Sequence, residues 1–237
     1  MHIELRKIRI DEELEISSEW RLPERFNGRA SPGLILAHGA GSDMHQPMLS
    51  HVHQALAGRG IFAVKFNFPY KEAGRKAPDP PPRLKQAFKA VLERVASDTL
   101  LRPGALFLGG KSMGGRIASE LVASGEPIAG LVFLGYPLHP VGRPERLRAA
   151  HLDKTSCPML FIQGSRDPLC ELAKLEAFLA RLPDRATLHV IEGGDHSFRL
   201  LKRGGRSERE VWDEVVGVIA SWIEKSLSKQ ACKELDR

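Results

Sequence analysis

Ala105-Leu106-Phe107-Leu108-Gly109-Gly110-Lys111-Ser112-Met113-Gly114-Gly115-Arg116 is the stretch on which the fold turns. Ala105 to Leu108 is a short apolar run of strand character, and the pattern becomes helical from Gly114 to Ser124. Gly110-Lys111-Ser112-Met113-Gly114 is therefore G-x-S-x-G between a strand and a helix, a sharp turn that lifts a serine hydroxyl above the end of a sheet. Glycine is needed two positions either side of Ser112 because side chains there would collide with neighbouring backbone. The serine then stands at the positive end of the following helix. A phosphate-binding loop also ends in Gly-Lys-Ser, but its first glycine would fall on Ala105. The residues between, Leu106, Phe107, Leu108 and Gly109, make an apolar strand whose amides cannot wrap a phosphate.

Outward from this turn, short apolar runs alternate with longer helical segments, the signature of a parallel sheet built from βα units. The runs are Gly33 to Ala37, Ile61 to Phe68, Ala105 to Leu108, Ile128 to Leu134, Met159 to Gln163 and Ala186 to Ile191. Helices are expected over Pro47 to Arg59, Arg83 to Ser97, Gly114 to Ser124 and Glu171 to Arg181. The last carries Leu172, Leu175, Phe178 and Leu179 on one face. Alternation at Ile8, Ile10, Leu14 and Ile16 predicts an antiparallel edge hairpin within about residues 1–20. A final helix is expected over about 207–228, opened by a capping box of Ser207 and Glu210 and buried along Val211, Val215, Val218, Trp222 and Ile223. Residues 229–237 read as a polar tail. The expected architecture is a single α/β domain over 1–237, a mostly parallel central sheet with helices on both faces.

Two further loops follow strands and carry reactive side chains. Gly164-Ser165-Arg166-Asp167-Pro168 places a carboxylate after Met159 to Gln163, and Glu192-Gly193-Gly194-Asp195-His196-Ser197-Phe198 places a histidine after Ala186 to Ile191. In a parallel sheet, Ser112, Asp167 and His196 emerge at one edge. A serine hydroxyl is a poor nucleophile until a base removes its proton; His196 is that base and Asp167 would orient its ring. Asp195 is a poor substitute acid, since adjacent residues rarely aim side chains at each other. His38-Gly39-Ala40-Gly41-Ser42, after the first central strand, supplies small residues whose amides can face a developing oxyanion. The expected donors are the amide of Met113 and that of Ala40 or Gly41. His38 is expected to brace that loop. His139, after Ile128 to Leu134, and Lys111, beside the serine, are the candidates for contact with substrate, with plain packing as the other reading of His139.

The chain has 237 residues, 42% hydrophobic and 27% charged, an ordinary globular composition. Cys157, Cys170 and Cys232 form no C-x-x-C pair, which argues against a disulfide framework or thiolate zinc site and suits a reducing cytoplasm. The opening MHIELRKIRI builds no apolar run, so no secretory leader is expected. Ile128 to Val141 is too short to span a bilayer. His45, His51 and His53 follow no metal-ligand spacing, so no metal is expected.

Here a resemblance enters. His38-Gly39-Ala40-Gly41, Gly109 to Arg116, Gly135-Tyr136-Pro137-Leu138-His139-Pro140, Gln163-Gly164-Ser165-Arg166-Asp167 and Gly193-Gly194-Asp195-His196 resemble the α/β-hydrolase superfamily, near its dienelactone-hydrolase-like and carboxylesterase-like members. More narrowly they resemble the testis-expressed and nonspecific-lethal-complex type of hydrolase-like domain. The likeness covers about Ala30 to Trp222. It implies an α/β-hydrolase fold, a triad in the chain order Ser112, Asp167, His196, and no cofactor. In some relatives the acid follows the preceding strand, where Glu145 or Asp153 would stand. It also implies a serine hydrolase acting on a small or medium carboxylic ester, or on a thioester, lactone or amide, through an acyl-enzyme on Ser112.

Residues 135–158 leave room for a short helix around Arg143 to His151 but not for a large cap, and with 10 Phe, 3 Trp and 2 Tyr no greasy tunnel is indicated. A small-molecule partner is expected, with neither nucleic acid nor membrane; self-association stays open. The alternative is a non-catalytic interaction module, because some relatives serve as subunits of assemblies. Lys and Arg total 35 against 29 acids. Lys71, Arg75, Lys76, Arg143, Arg146, Arg148, Arg199, Lys202, Arg203 and Arg206 fall in segments after successive strands, where they would steer an anionic substrate or simply make a solvated basic surface.

Overall fold

A computed structural model describes residues 2–201 and 205–235. Eight strands form one sheet in the order β1-β2-β4-β3-β5-β6-β7-β8. They are β1 (His2–Arg9), β2 (Glu15–Leu22), β3 (Pro32–Ala37), β4 (Phe62–Phe66), β5 (Ala105–Lys111), β6 (Gly130–Leu134), β7 (Met159–Gly164) and β8 (Ala186–Ile191). β1 pairs antiparallel with β2 and β2 antiparallel with β4, while every pairing from β4 through β8 is parallel. The N-terminal hairpin thus lies at the sheet edge as its alternation requires. Charged side chains on β1 protect that edge from further pairing, and the Arg6 guanidinium lies 4.1 Å from the Trp20 ring centre.

Both faces of the central strands are covered, and the two-residue strand period sorts their side chains cleanly. Ile35, Leu108, Leu131, Phe133 and Phe161 enter one core with residues of α3 (Pro81–Ala96), α4 (Met113–Val122) and α5 (Leu172–Leu179). Their neighbours Leu34, Leu36, Phe107, Val132, Leu134, Leu160 and Ile162 enter the other, with α1 (Pro47–Ala57) and α6 (Glu208–Leu235). A short α2 (Pro69–Glu72) follows β4. Unbroken apolar runs on β3, β6 and β7 are therefore needed, since neither face of these strands meets water.

Ser207 and Glu210 form the expected box at the start of α6: the Ser207 amide donates to Glu210 Oε2 at 2.6 Å and the Glu210 amide to Ser207 Oγ at 3.2 Å. Ile219 is fully buried while Val218 is only partly so, a one-residue shift of the apolar stripe. The helix continues to Leu235, so residues 229–235 are its last turns and not a tail. The expected helix over Arg143 to His151 is absent. The amides of Arg143 and Arg146 close isolated turns onto Pro140 and Arg143, the Arg148 amide bonds back to the Leu138 carbonyl, and only one tight turn of helix forms, at Ala150–Lys154. Cys157 and Cys170 are buried thiols and Cys232 an exposed one, all unpaired. Among the described residues no helix is long and apolar enough to cross a membrane.

Candidate active site

The sheet order reverses between β3 and β5, whose neighbours lie on opposite sides, and such a point opens a crevice at the carboxyl ends of the strands. Ser112 stands there, between β5 and α4, with φ 51° and ψ −114°. This conformation costs a non-glycine residue about 1–3 kcal/mol and holds only where surroundings enforce it. Here they do. The Ser112 amide donates to the Leu134 carbonyl at 3.1 Å, and a side chain on Gly110 or on Gly114 would begin 2.3 Å from the Ala37 carbonyl oxygen. The two glycines let β5 and α4 close on the end of β3, and the turn between them has no room to relax.

His196 Nε2 lies 2.8 Å from Ser112 Oγ, and His196 Nδ1 lies 2.6 Å from Asp167 Oδ2. With Nδ1–H donating to the carboxylate, Nε2 is left to accept from the serine. Asp167 is buried; its Oδ1 accepts from the Leu169 amide at 2.8 Å and its Oδ2 from Gln163 Nε2 at 2.6 Å. Gln163 in turn accepts from the Tyr136 amide at 2.8 Å, so one buried side chain joins the loop after β6 to the acid after β7. Asp195 accepts instead from the amides of Ser197 and Arg199 and shapes the His196 loop. Asp153 pairs with Arg181 at 3.0 Å, and Glu145 is exposed. The carboxylate at the histidine is thus Asp167.

Met113 opens α4, and the loop after β3 passes beside the serine: a side chain on Gly39 would begin 3.6 Å from Ser112 Cβ. The amides of Met113, Ala40 and Gly41 therefore come from the two segments that flank the hydroxyl. His38 is fully buried beneath the loop; its Nε2 accepts from the Phe68 amide at 3.0 Å and its Nδ1 meets the Gly39 carbonyl at 2.8 Å. Burial pushes its pKa down to about 4, so it is a neutral brace. The Tyr70 hydroxyl adds a bond to the same carbonyl at 3.2 Å.

The two candidates for substrate contact are both buried. His139 is buried, with Nε2 accepting from the Glu171 amide at 2.8 Å and Nδ1 3.0 Å from the Pro140 carbonyl; both ring nitrogens are engaged by backbone, so it fastens the loop after β6. Lys111 turns beneath the serine, its Nζ buried and without a hydrogen-bond partner among the described residues. Of the expected basic rim, Arg75 bonds Asp79, Arg199 lies 3.3 Å from Glu208, and Arg206 bonds Glu214. Arg143, Arg146 and Arg148 remain exposed; Lys202 and Arg203 lie outside the described residues. Gln163 was not singled out beforehand, although an amide ending an otherwise apolar strand is a signal that something polar awaits it. Among the described residues no group of His, Cys, Asp and Glu could hold a metal.

An α/β-hydrolase domain model matches residues 30–224. The chain belongs to the α/β-hydrolase family. Similar solved structures include Est1E from Butyrivibrio proteoclasticus, with a TM-score of 0.73 and 15% identity over 94% of this chain and 99% of that one. Dienelactone hydrolase from Anabaena variabilis gives 0.73 and 18% over 94% and 97%. An α/β serine hydrolase without lid from Xanthomonas campestris gives 0.67 and 18% over 97% and 95%. At such identities these likenesses speak for the fold of this α/β-hydrolase. Its chemistry has to be argued from its own residues.

Proposed function

We propose that the chain is a serine hydrolase that cleaves a small or medium carboxylic ester through an acyl-enzyme on Ser112, with thioesters, lactones and amides open to the same chemistry. The observation that carries this is the continuous hydrogen-bonded series from Ser112 Oγ through His196 to Asp167, mounted on a strained turn. His196 Nε2 takes the hydroxyl proton as Oγ bonds to the ester carbonyl carbon. Asp167, its charge held by Gln163 and the Leu169 amide, stabilises the imidazolium. The carbonyl oxygen, now negative, is received by the amides of Met113 and of Ala40 or Gly41, each such donor being worth about 3–4 kcal/mol. Collapse expels the alcohol, protonated by His196. Water deprotonated by His196 then attacks the acyl carbon, and the bond from that carbon to Ser112 Oγ breaks as His196 returns the proton to Oγ, which releases the acid and restores the serine.

The loops over residues 135–158 form no cap, which supports a compact ester over a long apolar chain. The unpaired thiols agree with a reducing cytoplasm. Exposed Arg143, Arg146 and Arg148 support steering of an anionic substrate, for which kcat/KM on a negatively charged ester should fall with added salt while a neutral ester is unaffected. Equal salt response of both would remove the steering. The main test is a fluorophosphonate probe together with p-nitrophenyl acetate turnover. Wild type should label and turn over, and Ser112→Ala should do neither. A folded wild type that fails both is a non-catalytic interaction module, and full turnover by Ser112→Ala would refute the mechanism.

A further inference from the structure

Lys111 is a buried, charged side chain next to the serine that the reaction above does not use. It is the last residue of β5, paired in register with Leu134 of β6. Its stem packs by Gly39, where a side chain would begin 3.5 Å from Lys111 Cγ, and its Nζ reaches under the turn that follows β6. There the absence of a side chain on Gly135 lets Lys111 and His196 close in on one point, where a Cβ would be crowded. Lys111 Nζ borders it at 3.1 Å, the His196 carbonyl oxygen at 3.0 Å and His196 Nδ1 at 3.5 Å. The Nζ is buried, and no hydrogen-bond acceptor meets it among the described residues.

An ammonium in such a place is costly, since three donors have left water without replacement. What faces it is charge. The charges acting on Nζ are Asp167 from the loop after β7 and Asp195 from the loop after β8, and His196 of that second loop borders the same Gly135 position; the titratable groups of the flanking segments, His38 after β3 and Tyr136 after β6, are neutral. Burial pushes the Lys111 pKa down to about 8, against the pull of the two carboxylates, so the amine is still charged at neutral pH. A positive charge here favours an ionised Asp167 and disfavours a second positive charge on the adjoining imidazole.

We propose that Lys111 is a positioning residue whose buried ammonium, set against the Asp167–His196 pair, keeps the acid ionised and holds the imidazole neutral, ready to take the Ser112 proton. The expected effect on rate rests on the hydrolase reading, but the effect on His196 does not. It matters most in mildly acidic conditions, where a carboxylate-paired histidine with no opposing charge would already be protonated and unable to act as a base.

The test pairs two readouts in wild type and Lys111→Met, which keeps the stem and removes the charge. The acid limb of the kcat/KM profile on p-nitrophenyl acetate should move up by about one pH unit, the order of a charge interaction across such a partly buried gap. The His196 imidazole, followed by NMR titration, should shift by the same amount. A folded Lys111→Met with both readouts unchanged overturns the proposal. If Lys111→Met does not fold, Lys111→Gln takes its place, and wild type itself reports: the His196 resonances should carry a second inflection as Lys111 deprotonates near pH 8, and a single inflection overturns the proposal. If wild type neither labels with fluorophosphonate nor cleaves ester, the hydrolase reading fails, and the NMR titration still decides the role of the lysine.

Discussion

Substituting Gly114 by alanine sets two known magnitudes against each other. Within α4 the change should favour the helix by about 1 kcal/mol, because glycine carries the larger entropy loss on folding. Its new Cβ, however, would begin 2.3 Å from the Ala37 carbonyl oxygen and 2.7 Å from that of His38. Both obstacles are backbone, and both lead directly into the loop that carries Ala40. Relief requires α4 to part from the end of β3 by roughly 1 Å, and a misplacement of about 1 Å at a reacting centre costs on the order of a hundredfold. Overpacking of this kind costs about 1–3 kcal/mol, enough to cancel the helical gain. Gly217 of α6 is the control, since a Cβ there meets nothing within 4 Å. Gly217→Ala should raise Tm by about 2–4 °C and leave kcat/KM alone. Gly114→Ala should lower kcat/KM by about a hundredfold with Tm unchanged or lower. Calorimetry and ester turnover on both variants decide the matter. A Gly114→Ala protein with wild-type kcat/KM and the same Tm gain as Gly217→Ala would show that the contact between α4 and β3 does not hold the site.

Gln163→Leu removes a donor from the Asp167 carboxylate and strands the Tyr136 amide, whose unmet bond costs about 1–3 kcal/mol. Steady-state kinetics should find kcat reduced by roughly tenfold with KM unchanged, and a rise in KM at constant kcat would count against an orienting role. For His38 the folded pKa of about 4 lies below the ordinary value of about 6.5. Between these values the unfolded chain holds a proton that the folded one does not, so the contribution is present above pH 6.5 and is lost as pH falls toward 4. Urea titrations of wild type and His38→Gln should show the stability difference shrinking by about 3 kcal/mol over that window, whereas a constant difference would mean that His38 is not buried neutral.

Periodicity and turn chemistry carried most of the architecture into view. The strands β3 to β8 are legible because each holds a short, predominantly apolar run, unbroken where both faces are covered as in β6, and Ser112, Asp167 and His196 are legible because each lies in the segment that follows such a run. The loop after β3 that lies beside Ser112 shows through its small residues. What stayed hidden depends on side-chain direction. His139 and Lys111 occupy positions in sequence that could face the mouth, and only packing decides that one is tied to backbone and the other turns under the serine. Gln163 is invisible as an orienting group until Tyr136 and Asp167 are brought to either side of it. The short helix expected over Arg143 to His151 is replaced by isolated turns, because the amides of Arg143 and Arg146 bond to carbonyls three residues back and that of Arg148 returns to the Leu138 carbonyl, a long-range partner that sequence does not show. The extension of α6 to Leu235 fails the other way: its composition is polar, yet a helix already nucleated and packed needs little apolar content to continue.

The lack of a cap over residues 135–158 also bears on the kinetics of the proposed reaction. With no cap among the described residues, entry of ester and departure of alcohol and acid should not wait on a segment of protein moving. Turnover at saturating ester is then governed by the bond-making steps on Ser112, and kcat should be indifferent to solvent viscosity. The same lack of a cap leaves water free to reach the proposed acyl-enzyme, so hydrolysis should outcompete transfer of the acyl group to an added alcohol.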